Sequence, residues 1–384
     1  MRVPQVREAN LGILTFSFLS MMLALARDLP IASKQSILNT MSALKRVAFV
    51  IVCLITSAAY AQEGKQQIAD LGTCPLTSGQ QILDCKVGYR TFGTLAPDKS
   101  NVVIMPTWLN GRSEDLMPLF GSKPSSERLI DTSRFYGIAF DAFGDGISSS
   151  PSNSKRQPGP AFPVFTMEDM AHAQYRVLTE VLHISHLHAA VGLSMGGHQV
   201  FAWTVLYPKF IDLAVPIVGS PQATTFDLLS KQIVIEAIES DPEYQGGHYA
   251  TEPQLKLANA IGVQMVSAPQ YRNETVPRSE FSEWIKTVEA PQRQDANDRV
   301  WQAKAIMRHD VLHGRPLDEV AKSTPIKFLV IVAAEDRMVT PQPALEWAKA
   351  KGAETYISPG SCAHLIMNCD AKAVSERVEK FLVQ

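Results

Sequence analysis

Ala189-Ala-Val-Gly192-Leu-Ser194-Met-Gly196-Gly-His-Gln-Val-Phe-Ala-Trp-Thr-Val-Leu-Tyr-Pro208 is the stretch that decides how this chain folds. Its first residues are small and apolar, as in a buried strand, and its last ten read as a helix stopped at Pro208. Between them Gly192-Leu193-Ser194-Met195-Gly196 forms the G-x-S-x-G pattern of a nucleophile elbow. A sharp strand-to-helix turn holds the serine in a strained conformation, and side chains at Gly192 and Gly196 would collide with neighbouring backbone. The five-residue pattern alone also fits an ordinary turn. The strand before it, the helix after it and the second glycine at Gly197 favour the elbow.

Working outward, Ile82 to Thr94, Asn101 to Thr107, Phe135 to Asp141, Leu213 to Val218, Ile326 to Ala333 and Thr355 to Ile357 read as strands. Thr166-Met-Glu-Asp169 has the pattern of a helix start, with the helix running to about Leu182, and a last helix spans about Ala371 to Phe381. Strands alternating with helices predict an α/β fold, a mostly parallel sheet with helices on both faces. Residues 221–312 break the rhythm: Phe226 to Ile238, Gln254 to Met265 and Arg299 to Arg308 look helical, and no strand interrupts them. Such an insertion predicts a helical cap over the strand ends, screening water and shaping a pocket. The plain alternative is an accessory helical subdomain. Ser148 to Ser154 is the one biased tract and is read as a surface loop.

A serine hydroxyl is a poor nucleophile unless a base and an orienting acid accompany it. In the α/β-hydrolase fold these follow in the order serine, acid, histidine. Asp336, just past the apolar run Leu329-Val-Ile-Val-Ala-Ala, is the acid candidate, better placed by one residue than Glu335. His364, between the last strand and the last helix, is the base candidate. His183, His186 and His188 precede the elbow strand and are read as surface or packing residues, and His198 as structural. An oxyanion hole requires two backbone N–H groups, assigned to Met195 after the nucleophile and to Leu109 after the strand ending at Thr107.

Gly-Leu-Ser-Met-Gly-Gly at 192–197, Val87-Gly-Tyr-Arg-Thr-Phe-Gly-Thr94, Ala237-Ile-Glu-Ser-Asp-Pro242, Gly246-Gly-His-Tyr249, Asp295-Ala-Asn297 and His309-Asp310 together resemble the homoserine O-acetyltransferase family, from about Leu71 onward. The resemblance implies an α/β-hydrolase fold that passes an acyl group through the serine, with Ser194, Asp336 and His364 as its triad. Transferases of this family carry an arginine before the Ala-Ile of the cap motif and an aspartate directly after the histidine. Ile235 and Leu365 stand at those places here. A zwitterionic acceptor loses both charged partners. The expectation is therefore an esterase acting on a small-molecule ester, with an O-acyltransferase as the first alternative and a non-catalytic binding protein on the same fold as the second. Neither metal nor cofactor is required.

The N-terminus carries two apolar runs. Met41-Ser-Ala-Leu-Lys45-Arg46, the run Val47 to Ala58 and Ala59-Tyr60-Ala61 give a signal peptide at 41–61, in the order that export requires. Leu11 to Ala26 belongs to a leader at 1–40, read as an over-extended start or an anchoring segment, and it is the chain's only membrane candidate. Residues 62–384 are then one domain with the cap at 221–312, exported to the periplasm or beyond. With Cys53 in the signal peptide, Cys74, Cys85, Cys362 and Cys369 remain, and four cysteines allow three pairings. The segment 74–85 looks like a hairpin turning near Ser78-Gly79 that sets Cys74 opposite Cys85, leaving Cys362 and Cys369 to close a loop around His364. Free thiols or a metal site are the alternatives, but the histidine and thiol spacings match no zinc pattern. A formal net charge of −2 over 384 residues gives no reason to expect a nucleic-acid partner, and the sequence is compatible with a homodimer.

Overall fold

The computed structural model describes Glu63–Gln384. The leader at 1–40, the signal peptide at 41–61 and Cys53 lie outside the described residues.

In chain order the elements are β1 (Gln67–Pro75), β2 (Gln81–Phe92), β3 (Val102–Pro106), the short pair β4 (Phe120–Gly121) and β5 (Ile130–Asp131), β6 (Tyr136–Phe140), α1 (Met167–Arg176), β7 (Leu187–Leu193), α2 (Met195–Leu206) and β8 (Ile211–Ile217). The cap helices follow: α3 (Thr225–Glu239), α4 (Lys256–Met265), α5 (Pro269–Thr275), α6 (Phe281–Glu289) and α7 (Ala296–Met307), and then α8 (Leu317–Ser323), beyond the cap. The chain closes with β9 (Lys327–Ala333), α9 (Gln342–Lys351), β10 (Glu354–Ser358), the single turn α10 (Ile366–Cys369) and α11 (Ala371–Leu382).

Eight strands form one sheet in the order β1-β2-β6-β3-β7-β8-β9-β10. β2 pairs antiparallel with β1 and β6, and the remaining pairs are parallel. Alternation along each strand sorts side chains between two cores. Val102 and Ile104 join Phe201, Trp203 and Trp347 on one face, whereas Val103 and Met105 join Val374, Val378 and Phe381 of α11 on the other. The spacing 374, 378, 381, 382 is the apolar stripe of a surface helix, which is why α11 docks flat on the sheet.

Capping boxes start two of the helices. Thr166 accepts from the amide of Asp169 and Asp169 in return accepts from that of Thr166, while Thr224 and Asp227 repeat the arrangement on α3. After Arg176 the helix expands into a π-helical turn, Val177–Val181, before β7. The insertion between β8 and β9 is helical throughout, with an isolated antiparallel bridge, Gln222 to Asp310, tying its ends together.

Two expectations need correction. Cys74 and Cys85 are bonded, but Cys74 faces Ile82 and Cys85 faces Gly72, so the bridge runs diagonally. The cause is the turn, which pairs Pro75 with Gln81 and so sets Cys74 opposite Ile82; the register irregularity beside Gly72 at φ +68° only moves Cys85 by one residue, to face Gly72. The serine tract, read as a surface loop, begins in the interior: Ser148, Ser149 and Ser150 are buried. Their hydroxyls are consumed by backbone, Ser148 Oγ accepting from Gly88 N and donating to the Asp141 carbonyl, and Ser149 Oγ accepting from Lys86 N. Hydroxyls that satisfy loop backbone in this way are buried without an unpaired polar group.

Candidate active site

The carboxyl ends of β3, β7, β9 and β10 converge, which is where open α/β sheets place ligands. At the end of β7, Ser194 has φ +55° and ψ −122°, outside the regions an L-residue prefers. Its amide donates to the Ile217 carbonyl, and its carbonyl accepts from the His198 amide, which continues into α2. A Cβ at Gly192 would meet the Gly196 carbonyl, and one at Gly196 would meet that of Pro106. Both glycines are therefore dictated by backbone crowding around the turn.

His364 sits in a one-turn 3-10 helix after β10, next to Ala363 at φ +52°. Its Nε2 lies 2.7 Å from Ser194 Oγ and its Nδ1 2.8 Å from Asp336 Oδ2. Asp336, in the turn after β9, is almost fully buried, and its Oδ1 accepts from the amides of Met338 and Val339. Glu335 points outward and is exposed. The disulfide Cys362–Cys369 brackets the histidine turn. A relay from hydroxyl to imidazole to carboxylate is the geometry that activates a serine.

Leu109 lies in the loop after β3 and lines the same cavity as Ser194, while Met195 opens α2 beside the serine. Neither backbone amide donates to another group among the described residues. The loop is fixed by two glutamines. Gln199 of α2 donates to the carbonyls of Thr107 and Met195, and accepts from Gln174, whose carbonyl oxygen accepts from Trp203. Gln302 of α7 accepts from the Asn110 amide and donates to the Phe143 carbonyl, so the cap itself holds the loop. Sequence reasoning passed over both, although a glutamine inside so apolar a helix as α2 is itself a signal that buried backbone needs a partner.

His198 faces the Ser220 amide through Nδ1, and His309 donates from Nε2 to the Ser220 carbonyl. Burial drives both imidazoles below their ordinary pKa, His309 to about 4, so they serve as neutral struts. His183 is exposed, His186 pairs with Asp212 at the surface, and His188 packs on Phe135.

A cavity of about 460 Å³ opens over Ser194 between the sheet and the cap. Trp108, Val218, Val263 and Met338 make much of its wall apolar, and Leu365 lines it as well. Ile235 is buried in α3. Two cations that sequence reasoning did not single out, Lys231 and Arg299, also border this cavity. No group of three potential metal-binding side chains occurs among the described residues.

Comparison with known proteins places this geometry among relatives. The family described as the α/β hydrolase fold matches residues 110–367. An ethyl acetate hydrolase from Pseudomonas veronii is 35% identical over 193 residues, covering 50% of this chain and 54% of that protein. A homoserine O-acetyltransferase from Moorella thermoacetica is 30% identical over 301 residues, covering 69% of this chain and 80% of that one. Among solved structures, the acetyl esterase MekB superposes with a TM-score of 0.75 at 26% identity, over 84% of this chain and 98% of its own. The chain spans about half the length of the curated esterase relatives it matches.

Proposed function

The chain belongs to the α/β-hydrolase family, in its homoserine O-acetyltransferase-like branch, and from that premise we propose that it is a serine esterase that hydrolyses a small-molecule ester through an acyl-enzyme. The observation that carries this reading is the relay of 2.7 and 2.8 Å from Ser194 through His364 to Asp336. Ser194 Oγ attacks the ester carbonyl while His364 Nε2 takes its proton. Asp336 steadies the imidazolium, and His364 returns the proton to the departing alcohol. The unengaged amides of Leu109 and Met195 hold the oxyanion. Water, deprotonated by the same histidine, then releases the acid.

Water as the acyl acceptor is supported by Leu365, an apolar residue in the cavity wall, and by Ile235, where the transferases of the resemblance carry charge. The transferase alternative draws support from the Moorella thermoacetica relative, which matches over most of its length. Export is part of the proposal. The leader-like sequence at 41–61 and the bonded pairs Cys74–Cys85 and Cys362–Cys369 support an oxidising compartment.

Labelling by a fluorophosphonate tests the catalytic reading. The wild type is expected to label and Ser194→Ala to stay unlabelled; equal labelling of both overturns it. Turnover of short-chain esters in water, with and without acetyl-CoA and homoserine, separates the two fates of the acyl group. A rate that requires the acceptor would replace the esterase with the transferase.

A further inference from the structure

The lysine and arginine side chains that line the cavity over Ser194 have no acidic counterpart in its wall. Lys231, from the middle of α3, and Arg299, from the first half of α7, both reach it. They are 3% and 7% exposed, a burial that lysine and arginine reach only when paired. Yet neither forms an ion pair among the described residues. The Arg299 guanidinium makes no side-chain hydrogen bond there, and the Lys231 ammonium has Met338 Sδ, a weak acceptor, as its contact at 2.7 Å.

The carboxylates nearest to these cations are committed elsewhere. Asp336 is occupied by His364 and two amides, and Asp227 by Thr224 and Thr340. Glu252, whose field reaches Arg299, is at the surface, accepts from the Ala296 amide and makes no ion pair with that guanidinium; desolvation and then the neighbouring Asp295 raise its pKa. A guanidinium cannot relieve its burial by shedding a proton, so its charge persists at any ordinary pH. An apolar wall would suit a simple alkyl ester better. A planar fork of donors in a mostly apolar wall matches a carboxylate, and a cavity of about 460 Å³ is within the range of small-molecule sites.

We infer that Arg299, assisted by Lys231, forms an anion-binding pole of the cavity that selects esters carrying a free carboxylate remote from the ester bond. This rests on the esterase reading, and it names the substrate class. With Leu365 in the wall and no acidic side chain lining the cavity, the pole favours an anion over a zwitterion. The carboxylate belongs either to the acyl part, as in a dicarboxylic half-ester, or to the alcohol part, as in an acylated hydroxy acid. In both cases Arg299 holds the anion while the ester carbonyl lies at Ser194.

Two matched pairs test it. Monoethyl glutarate against ethyl 4-carbamoylbutanoate places the charge in the acyl part, and 4-acetoxybutyrate against 4-acetoxybutanamide places it in the alcohol part. The expected result is a kcat/KM ratio of charged to neutral ester of at least about tenfold in one pair. That ratio falls towards one in Arg299→Leu, falls by a smaller factor in Lys231→Met, and is largely kept in Arg299→Lys. A wild-type ratio within about twofold of one in both pairs, or a ratio that all three variants leave unchanged, overturns the inference. Should Arg299→Leu fail to fold, the other two variants carry the comparison. Loss of all turnover and of Ser194 labelling would instead remove the esterase reading, so Kd values of the same four esters for Ser194→Ala, measured by calorimetry, test the anion pole independently with the same expected ratio.

Discussion

His364 Nδ1 lies 2.8 Å from Asp336 Oδ2, and the other oxygen of that carboxylate accepts from two backbone amides, Met338 and Val339. The aspartate is thus held by the turn after β9 before the histidine arrives. An acceptor at that position keeps the imidazole proton on Nδ1 and leaves Nε2 free for the serine. Asp336→Asn keeps the shape and loses the tautomer. Its kcat is expected to fall by about 10⁴ with little change in KM. Glu335→Gln, one residue away and exposed, is expected to leave ester turnover unchanged. Steady-state kinetics on one ester compares them.

Gly192 and Gly262 should respond to alanine in opposite ways. A methyl at Gly192 runs into the backbone of Gly196, where nothing flexible can move aside. A cost of about 1–3 kcal/mol is expected. Turnover should drop by about a hundredfold as the serine shifts. Gly262 lies inside α4 with nothing within 4 Å of an added Cβ. Gly262→Ala should gain about 0.5–1 kcal/mol from helix propensity, raising Tm by about 1–2 °C. Thermal melts of the two variants check both signs.

Asp298 gives stability a pH dependence. Burial is the main cause that lifts its pKa from 3.8 to about 7, against the hydrogen bonds it accepts from Ser152. The folded state therefore binds more protons than the unfolded chain between these values, so this contribution to stability is present at low pH and is lost as pH rises towards 7. Denaturant titrations across pH 4 to 8 should show a decline that Asp298→Asn reduces. A steeper decline in the variant would contradict the assignment.

The loop closed by Cys362–Cys369 is short and contains the histidine. A bridge of this span contributes about 2–3 kcal/mol by restricting the unfolded chain. Cys362→Ala with Cys369→Ala is expected to lower kcat more than Tm suggests, because the turn carrying His364 loses its clasp. Mass analysis without reductant should show both bridges in the wild type.

Much of this arrangement was legible in the residues themselves. The G-x-S-x-G turn, the apolar runs ending at Thr107 and Ala333, and the order of Ser194, Asp336 and His364 set the sheet and the convergence of those three side chains, because each signal is local. The helix α5 was passed over because its residues are exposed or half-buried and little apolar periodicity marks it, whereas α6 was overlooked although Phe281, Trp284, Ile285 and Val288 recur at helical spacing. Gln302, Lys231 and Arg299 were missed for a different reason. Their roles depend on how cap helices pack over a loop some 190 residues away, as the Gln302 to Asn110 bond shows, and no local pattern encodes that distance. The diagonal disulfide escaped because the turn closes between Pro75 and Gln81, and composition does not say on which residue a hairpin turn centres.

β10 is one of the two edge strands of the sheet, and the turn it delivers brings His364 across 170 residues of sequence to Ser194. Contacts that distant form late, after the entropy of closing the intervening chain has been met. A folding intermediate with every other strand in place but β10 undocked thus holds a nucleophile with no base. Recovery of esterase turnover during refolding should lag the recovery of secondary structure, so that the enzyme's own activity reports when its last strand has seated.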